Sequence, residues 1–127
     1  MQRLVQYRNP DAKDLAEIVK LLFKFREEFG KLFPEADLNK VVSTVEHHYN
    51  YGFIYNAYKE DKLIGSIGAI PSEWWFSPDH FISETWFYVL PKYRSFKIAK
   101  KLLAEFKKYS EKKTVLLPIS TGFDRPS

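Results

Sequence analysis

Residues Phe81 to Tyr109 read FISETWFYVLPKYRSFKIAKKLLAEFKKY, and few folds accommodate that stretch. Its first part, Phe81 to Leu90, is β-branched and aromatic and poor in helix formers, which predicts a strand. Pro91 ends it, since proline brings no N–H to a ladder. Beyond it, Phe96, Ala99, Leu102, Leu103 and Phe106 recur at helical spacing with lysines between them. A strand therefore runs into a short loop, Lys92 to Lys97, and then into a helix. That order aims backbone N–H groups and the positive end of a helix dipole at one place, a natural anion site. Charge gathers there too. Lys92 to Lys113 carries nine basic and two acidic residues, so this segment is +7 and the rest of the chain is −3, for a net charge of +4. Lys107, Lys108, Lys112 and Lys113 read as an ordinary solvated helix face.

The remaining segments frame that unit. Arg3 to Tyr7 predicts a short strand. Asn9 as N-cap and Pro10 at the first helical position predict a helix, with Leu15, Ile18, Val19, Leu22 and Phe29 as its apolar stripe and an end near Gly30. Lys31 to Ala36 is a loop. Asp37 caps a second helix with a stripe of Leu38, Val41, Val42, Val45 and Tyr49, closed by Gly52. His47 and His48 are neighbours near its end and point about 100° apart, which suits a structural or surface role better than metal binding. Phe53 to Lys59 and Leu63 to Ile70 form a hairpin around Glu60-Asp61-Lys62. Gly65 and Gly68 mark a close backbone approach or a bulge. Pro71 to His80 is a loop whose Trp74, Trp75 and Phe76 serve as a lid over the core, or else as an acceptor-site wall or protein contact. Thr114 to Ile119 predicts a last strand. The order is β-α-α-β-β-β-α-β, an α/β mixed sheet in a single domain over residues 1–127. Eleven Phe, eight Tyr and three Trp supply a large core for this length. No cysteine is present, which removes disulfides and a thiol nucleophile. The N-terminus has no signal-peptide pattern and no apolar run spans a membrane, so the expected location is the cytoplasm.

Glu84-Thr85-Trp86-Phe87-Tyr88-Val89-Leu90-Pro91-Lys92-Tyr93-Arg94, then Ile98-Ala99 and Leu102-Leu103, resembles motif A of the GNAT N-acetyltransferases, most closely their small phage-encoded type. In that family a bulged strand ends in V-x-P-x-Y-R-G, and the following loop wraps the pyrophosphate of acetyl-CoA. The resemblance implies an acetyl-CoA-dependent N-acetyltransferase acting on a primary amine of a small molecule or a protein. It implies that the N–H groups of Phe87, Tyr88 and Val89 pair with the pantetheine arm and the thioester oxygen. Arg94, Ser95, Phe96, Lys97, Ile98 and Ala99 would cradle the pyrophosphate. Two of the usual glycines are replaced, by Ser95 and Lys97, and Ala99 stands at the last small position. If the chain is phage-encoded, the location is the host cytoplasm.

Acyl transfer from a thioester to an amine needs a proton acceptor, an oxyanion donor and alignment, and no metal. Glu84 is the expected general base, the alternative being an ion pair or an edge-strand charge that blocks aggregation. Simple alternation puts it on the face of Ile82, Trp86 and Tyr88, where burial would raise its pKa; a bulge would change that face. The usual tyrosine acid of the family has no counterpart, so water would protonate the thiolate. An alternative reading is a non-catalytic protein on the same scaffold, such as a phage structural or host-binding protein. Nucleic-acid binding is disfavoured, because the aromatics are not interleaved with the lysines. The sheet is truncated at the C-terminus relative to the family. That leaves an edge to be covered by a homodimer or by the tail from Ser120 to Ser127.

Overall fold

The β-branched and aromatic segments of the chain pair into one antiparallel sheet, with helices on both of its faces. The computed structural model describes residues 4–113. Its strands are β1 (Gln6–Arg8), β2 (Phe53–Lys59), β3 (Lys62–Glu73) and β4 (His80–Val89), in the spatial order β1-β2-β3-β4. The helices are α1 (Leu15–Glu28), α2 (Leu38–Tyr51) and α3 (Phe96–Lys113). The order over the described residues is thus β-α-α-β-β-β-α. The strand expected at Thr114 to Ile119, and with it the question of a covered edge, lies outside them. No helix of the described residues is long and apolar enough to cross a membrane.

Local chemistry explains most boundaries. Asp37 accepts a hydrogen bond from Lys40 N–H at 2.9 Å, which satisfies an orphan donor of α2, and Gly52 follows the last turn. Asp37→Ala should cost about 1 kcal/mol, read as a lower midpoint in denaturant unfolding. The β2–β3 turn is tighter than expected: Lys62 pairs with Lys59, and only Glu60 and Asp61 bridge the strands, at φ of 52° and 65°. Two left-handed residues match the twist of a hairpin.

Four expectations are corrected. Asn9 and Pro10 do not start α1. Asn9 Nδ2 instead donates to Ile54 O at 2.8 Å, tying the chain to β2, and Ala12–Asp14 form a 3-10 turn before α1. There Asp14 Oδ2 takes Asp11 N–H at 2.8 Å and Arg8 Nη1 at 2.9 Å. The first strand covers Gln6–Arg8 rather than ending at Tyr7. β3 continues through Pro71, which pairs with Ile82, as far as Glu73. Proline is tolerated because the β2 ladder has already ended at Phe53 and Ala69, so that side of β3 needs no donor. Finally, α3 begins at Phe96, inside the expected loop. Its buried side is Ile98, Leu102 and Phe106, whereas Phe96 and Leu103 are exposed.

The loop between β3 and β4 is therefore only residues 74–79. Trp74 packs on Phe81 with ring centroids 4.4 Å apart, while Trp75 is 93% exposed. The aromatic run is a hairpin tip, not a lid over the core.

Helices α1 and α2 cover one face of the sheet. Phe25 of α1 stacks on Tyr88 at 4.8 Å and His48 of α2 meets Trp86 at 4.8 Å. Helix α3 covers the other, with Tyr109 stacked on Phe53 at 4.6 Å. Ile18, Val45, Ile54, Ile64, Ile67, Ile82, Trp86, Leu102 and Phe106 lie between them as a continuous core.

Candidate active site

β4 is an edge strand among the described residues, and it is not regular. Trp86 pairs with Gly68 and Glu84 pairs with Ala69, so Thr85 is an extra residue on β4, a bulge. The consequence for Glu84 is a change of face. Gly68 and Ala69 point to opposite sides of the sheet, so Glu84 leaves the side of Trp86 and Tyr88 and joins that of Ile67 and Phe87. Simple alternation therefore fails here. The expected pKa direction survives: Glu84 is half-buried, and burial raises its carboxyl above the ordinary 4.5.

The bulge is held from behind. His48, 4% exposed, has Nδ1 2.8 Å from Thr44 O and Nε2 2.6 Å from Thr85 Oγ1. A carbonyl can only accept, so Nδ1 carries the proton and Nε2 accepts from the Thr85 hydroxyl. Trp86 Nε1 donates to Ser66 Oγ at 2.9 Å, fixing the next residue along. His48 is structural, as its sequence position suggests. Burial pushes its pKa below 6.5. The unfolded chain then binds the proton more readily than the folded one, so stability falls as pH drops below about 6.5 and down to the lowered folded value. His48→Gln should flatten that part of the stability–pH curve, measured by urea unfolding at stepped pH.

Past the bulge, the strand opens onto a cleft. Leu90 N–H donates to Ile64 O at 2.8 Å, so Leu90 faces β3. By alternation Tyr88 turns its backbone the same way, and Phe87 and Val89 turn theirs to the open edge. Val89 O is indeed met there by Arg94 Nε at 2.9 Å. Of the three expected backbone donors, Phe87 and Val89 are thus placed outward and Tyr88 inward.

The cleft measures about 570 Å³ and lies between the end of α1, the end of β4 and the start of α3. Phe87, Tyr88, Val89, Arg94, Ser95, Phe96 and Ala99 line it, as does the α1 segment with Phe25, Glu28 and Phe29. Ser95 caps α3: its Oγ takes Ile98 N–H at 3.2 Å and its carbonyl takes Ala99 N–H at 3.2 Å. A serine where the family motif has glycine is thereby explained. The first-turn N–H groups of Phe96 and Lys97 have no acceptor within the helix and mark its positive end. Ile98 is itself a core residue and Lys97 is exposed, so neither side chain lines the cleft; both contribute backbone to the first turn. Glu84 also stands outside the cleft lining, at the bulge.

The α1 residues were not legible as site residues. Arg94 Nη2 and Tyr88 Oη each lie 2.7 Å from Glu28 Oε1. Arg94 and then Tyr88 hold the Glu28 carboxyl below its ordinary range. Burial, reinforced by the bond to Glu28, pushes the Tyr88 phenol up to about 12. The donor set suits a phosphate-bearing ligand with an apolar part: aromatic walls, a guanidinium, outward strand N–H groups and a helix N-terminus.

Comparison with known proteins bears on the family and the fold. The model of the acetyltransferase (GNAT) family matches residues 15–119. Among solved structures, a possible acetyltransferase from Clostridium difficile 630 is 19% identical, with a TM-score of 0.72 over 93% of this chain and 80% of that one. A predicted acetyltransferase from Clostridium acetobutylicum, solved with acetyl-CoA, is 15% identical, with a TM-score of 0.75 over 93% and 81%. The aminoglycoside N-acetyltransferase AAC(6')-Iy, solved with CoA, is 18% identical, with a TM-score of 0.68 over 95% and 79%. No curated protein matches the chain by sequence. With most of its length matched by the family model, this chain belongs to the acetyltransferase (GNAT) family. It is an acetyl-CoA-dependent N-acetyltransferase.

Proposed function

We propose that the protein acetylates a primary amine by direct attack on the thioester, with Glu84 as general base and the cleft beside α3 as the cofactor site. The observation that carries this reading is the junction itself: a bulged edge strand opens onto a cleft floored by the first turn of α3. Acetyl-CoA supplies the acyl group as an activated thioester. Arg94 and the N–H groups of Phe96 and Lys97 hold phosphate, and the aromatic rings of Phe25, Phe29 and Phe87 exclude water from the arm. The outward N–H groups of Phe87 and Val89 align the arm and donate to the developing oxyanion. Glu84, with its raised pKa, accepts the proton of the attacking amine. As the C–N bond forms the thioester C–S bond breaks, and CoA leaves as the thiolate, which water protonates.

Calorimetry with CoA tests the site. Lys97→Glu puts a negative charge at the first turn of α3. It should weaken binding several-fold at low ionic strength, and less in salt, because the side chain is exposed and screened. Unchanged affinity in that variant would place the phosphates away from α3. An acceptor amine is the second half of the proposal. The structural neighbours include an aminoglycoside acetyltransferase solved with sisomicin, which makes polycationic amines a reasonable first panel to assay.

A further inference from the structure

A cleft that takes a polyanion here contains an anion of its own. Glu28 Oε1 accepts from Arg94 Nη2 and from Tyr88 Oη, both at 2.7 Å, and all three residues line the cleft. Arg94 is held in place for this contact: its Nε donates to Val89 O at 2.9 Å and its guanidinium lies 5.2 Å from the centre of the Tyr88 ring. Glu28 ends α1, and Arg94 follows β4, so the contact joins two sides of the cleft. The Glu28 and Arg94 side chains are 41% and 46% exposed, which makes the pair a weak element of the fold and an accessible one. A phosphate approaching Arg94 meets the Glu28 carboxylate on the same guanidinium. Two anions on one cation repel unless one yields.

We propose that Glu28 is an exchangeable counter-anion of the cofactor cleft. It occupies Arg94 and Tyr88 until a phosphate of the cofactor displaces it, and so it lowers the affinity of carriers that bear phosphate and leaves that of phosphate-free carriers unchanged. The inference rests on reading this cleft as the acetyl-CoA site. A carrier without phosphate offers nothing in exchange for Arg94. It would leave the contact between α1 and the β4–α3 loop standing across the cleft. The phosphate, in contrast, replaces one charge-assisted contact with another.

The test is calorimetric titration of CoA and of pantetheine, which lacks phosphate, into the wild-type protein, Glu28→Gln, Arg94→Gln and the double variant. Thermal unfolding without ligand first establishes that each variant is folded. If Glu28→Gln does not fold, Glu28→Ala, which also removes the charge, takes its place with the same expected direction. Removing the competing charge should tighten CoA binding by about 5-fold at low ionic strength, less in salt. Pantetheine binding should stay within about 2-fold, and the gain for CoA should vanish in the Arg94→Gln background. If the wild type binds CoA and Glu28→Gln binds it equally or more weakly, the exchange is refuted while the site stands. Equal tightening of CoA and pantetheine also refutes it, since the effect would then be one of space rather than charge. A wild-type protein that binds no CoA would overturn the site and the inference together.

Discussion

Glu84→Gln is expected to lower turnover about 10²-fold or more while leaving acetyl-CoA affinity unchanged. Glutamine keeps the shape of the side chain and removes its capacity to accept a proton. Glu84 stands at the bulge and not in the cleft lining, so the substitution should spare the groups that hold the cofactor. The pH profile supplies a second readout. Burial raises the Glu84 pKa above 4.5, and the base form is the ionised one. Turnover should therefore fall as pH falls through that raised value, giving an acid limb displaced upward from the ordinary carboxylate range. In the Gln variant that limb should disappear along with most of the activity. Steady-state kinetics across pH with a polyamine or aminoglycoside acceptor would show both effects. Unchanged turnover would make Glu84 a structural residue and leave water as the proton acceptor.

The face on which Glu84 stands shows how far pattern reading reaches. A run such as Phe81 to Leu90 announces a strand through its β-branched and aromatic content, and Pro91 announces its end. Asp37 and Gly52 announce the ends of α2 in the same local way. A bulge has no such local signal. It depends on which residue of β3 meets which residue of β4, and the register flips faces at Thr85. The glycines at 65 and 68 hint at close approach but do not say which partner approaches. Distant contacts are harder still. Glu28 reaches Arg94 across 66 residues of sequence, and nothing in the α1 stripe marks it as a cleft residue. Asn9 carries every mark of a helix cap and spends its amide on Ile54 O instead, because a buried carbonyl of β2 has the stronger claim. Ser95 departs from the family motif in sequence, yet in space it caps the helix whose N-terminus forms the floor of the site.

Gly68→Ala should be the most destabilising small substitution in the sheet, because the space its side chain needs is already taken. A Cβ at Gly68 would stand 2.4 Å from Cε2 and from Cζ2 of Trp86, and 2.6 Å from Cη2. The indole cannot easily retreat. Trp86 is 3% exposed, its Nε1 donates to Ser66 Oγ at 2.9 Å, and its ring rests against His48 at 4.8 Å. Overpacking of this kind costs about 1–3 kcal/mol, and breaking the indole hydrogen bond adds about 1 kcal/mol. At roughly 4 °C per kcal/mol for a domain of this size, the thermal midpoint should drop by about 10 °C. Function should suffer as well, because Gly68 and Trp86 face each other immediately beside the bulge that positions Glu84 and the outward N–H of Phe87. A double-mutant cycle isolates the cause. In a Trp86→Leu background the indole is gone, so Gly68→Ala should cost less than about 1 kcal/mol. Equal cost in both backgrounds would show that Gly68 is required by the backbone and not by the ring.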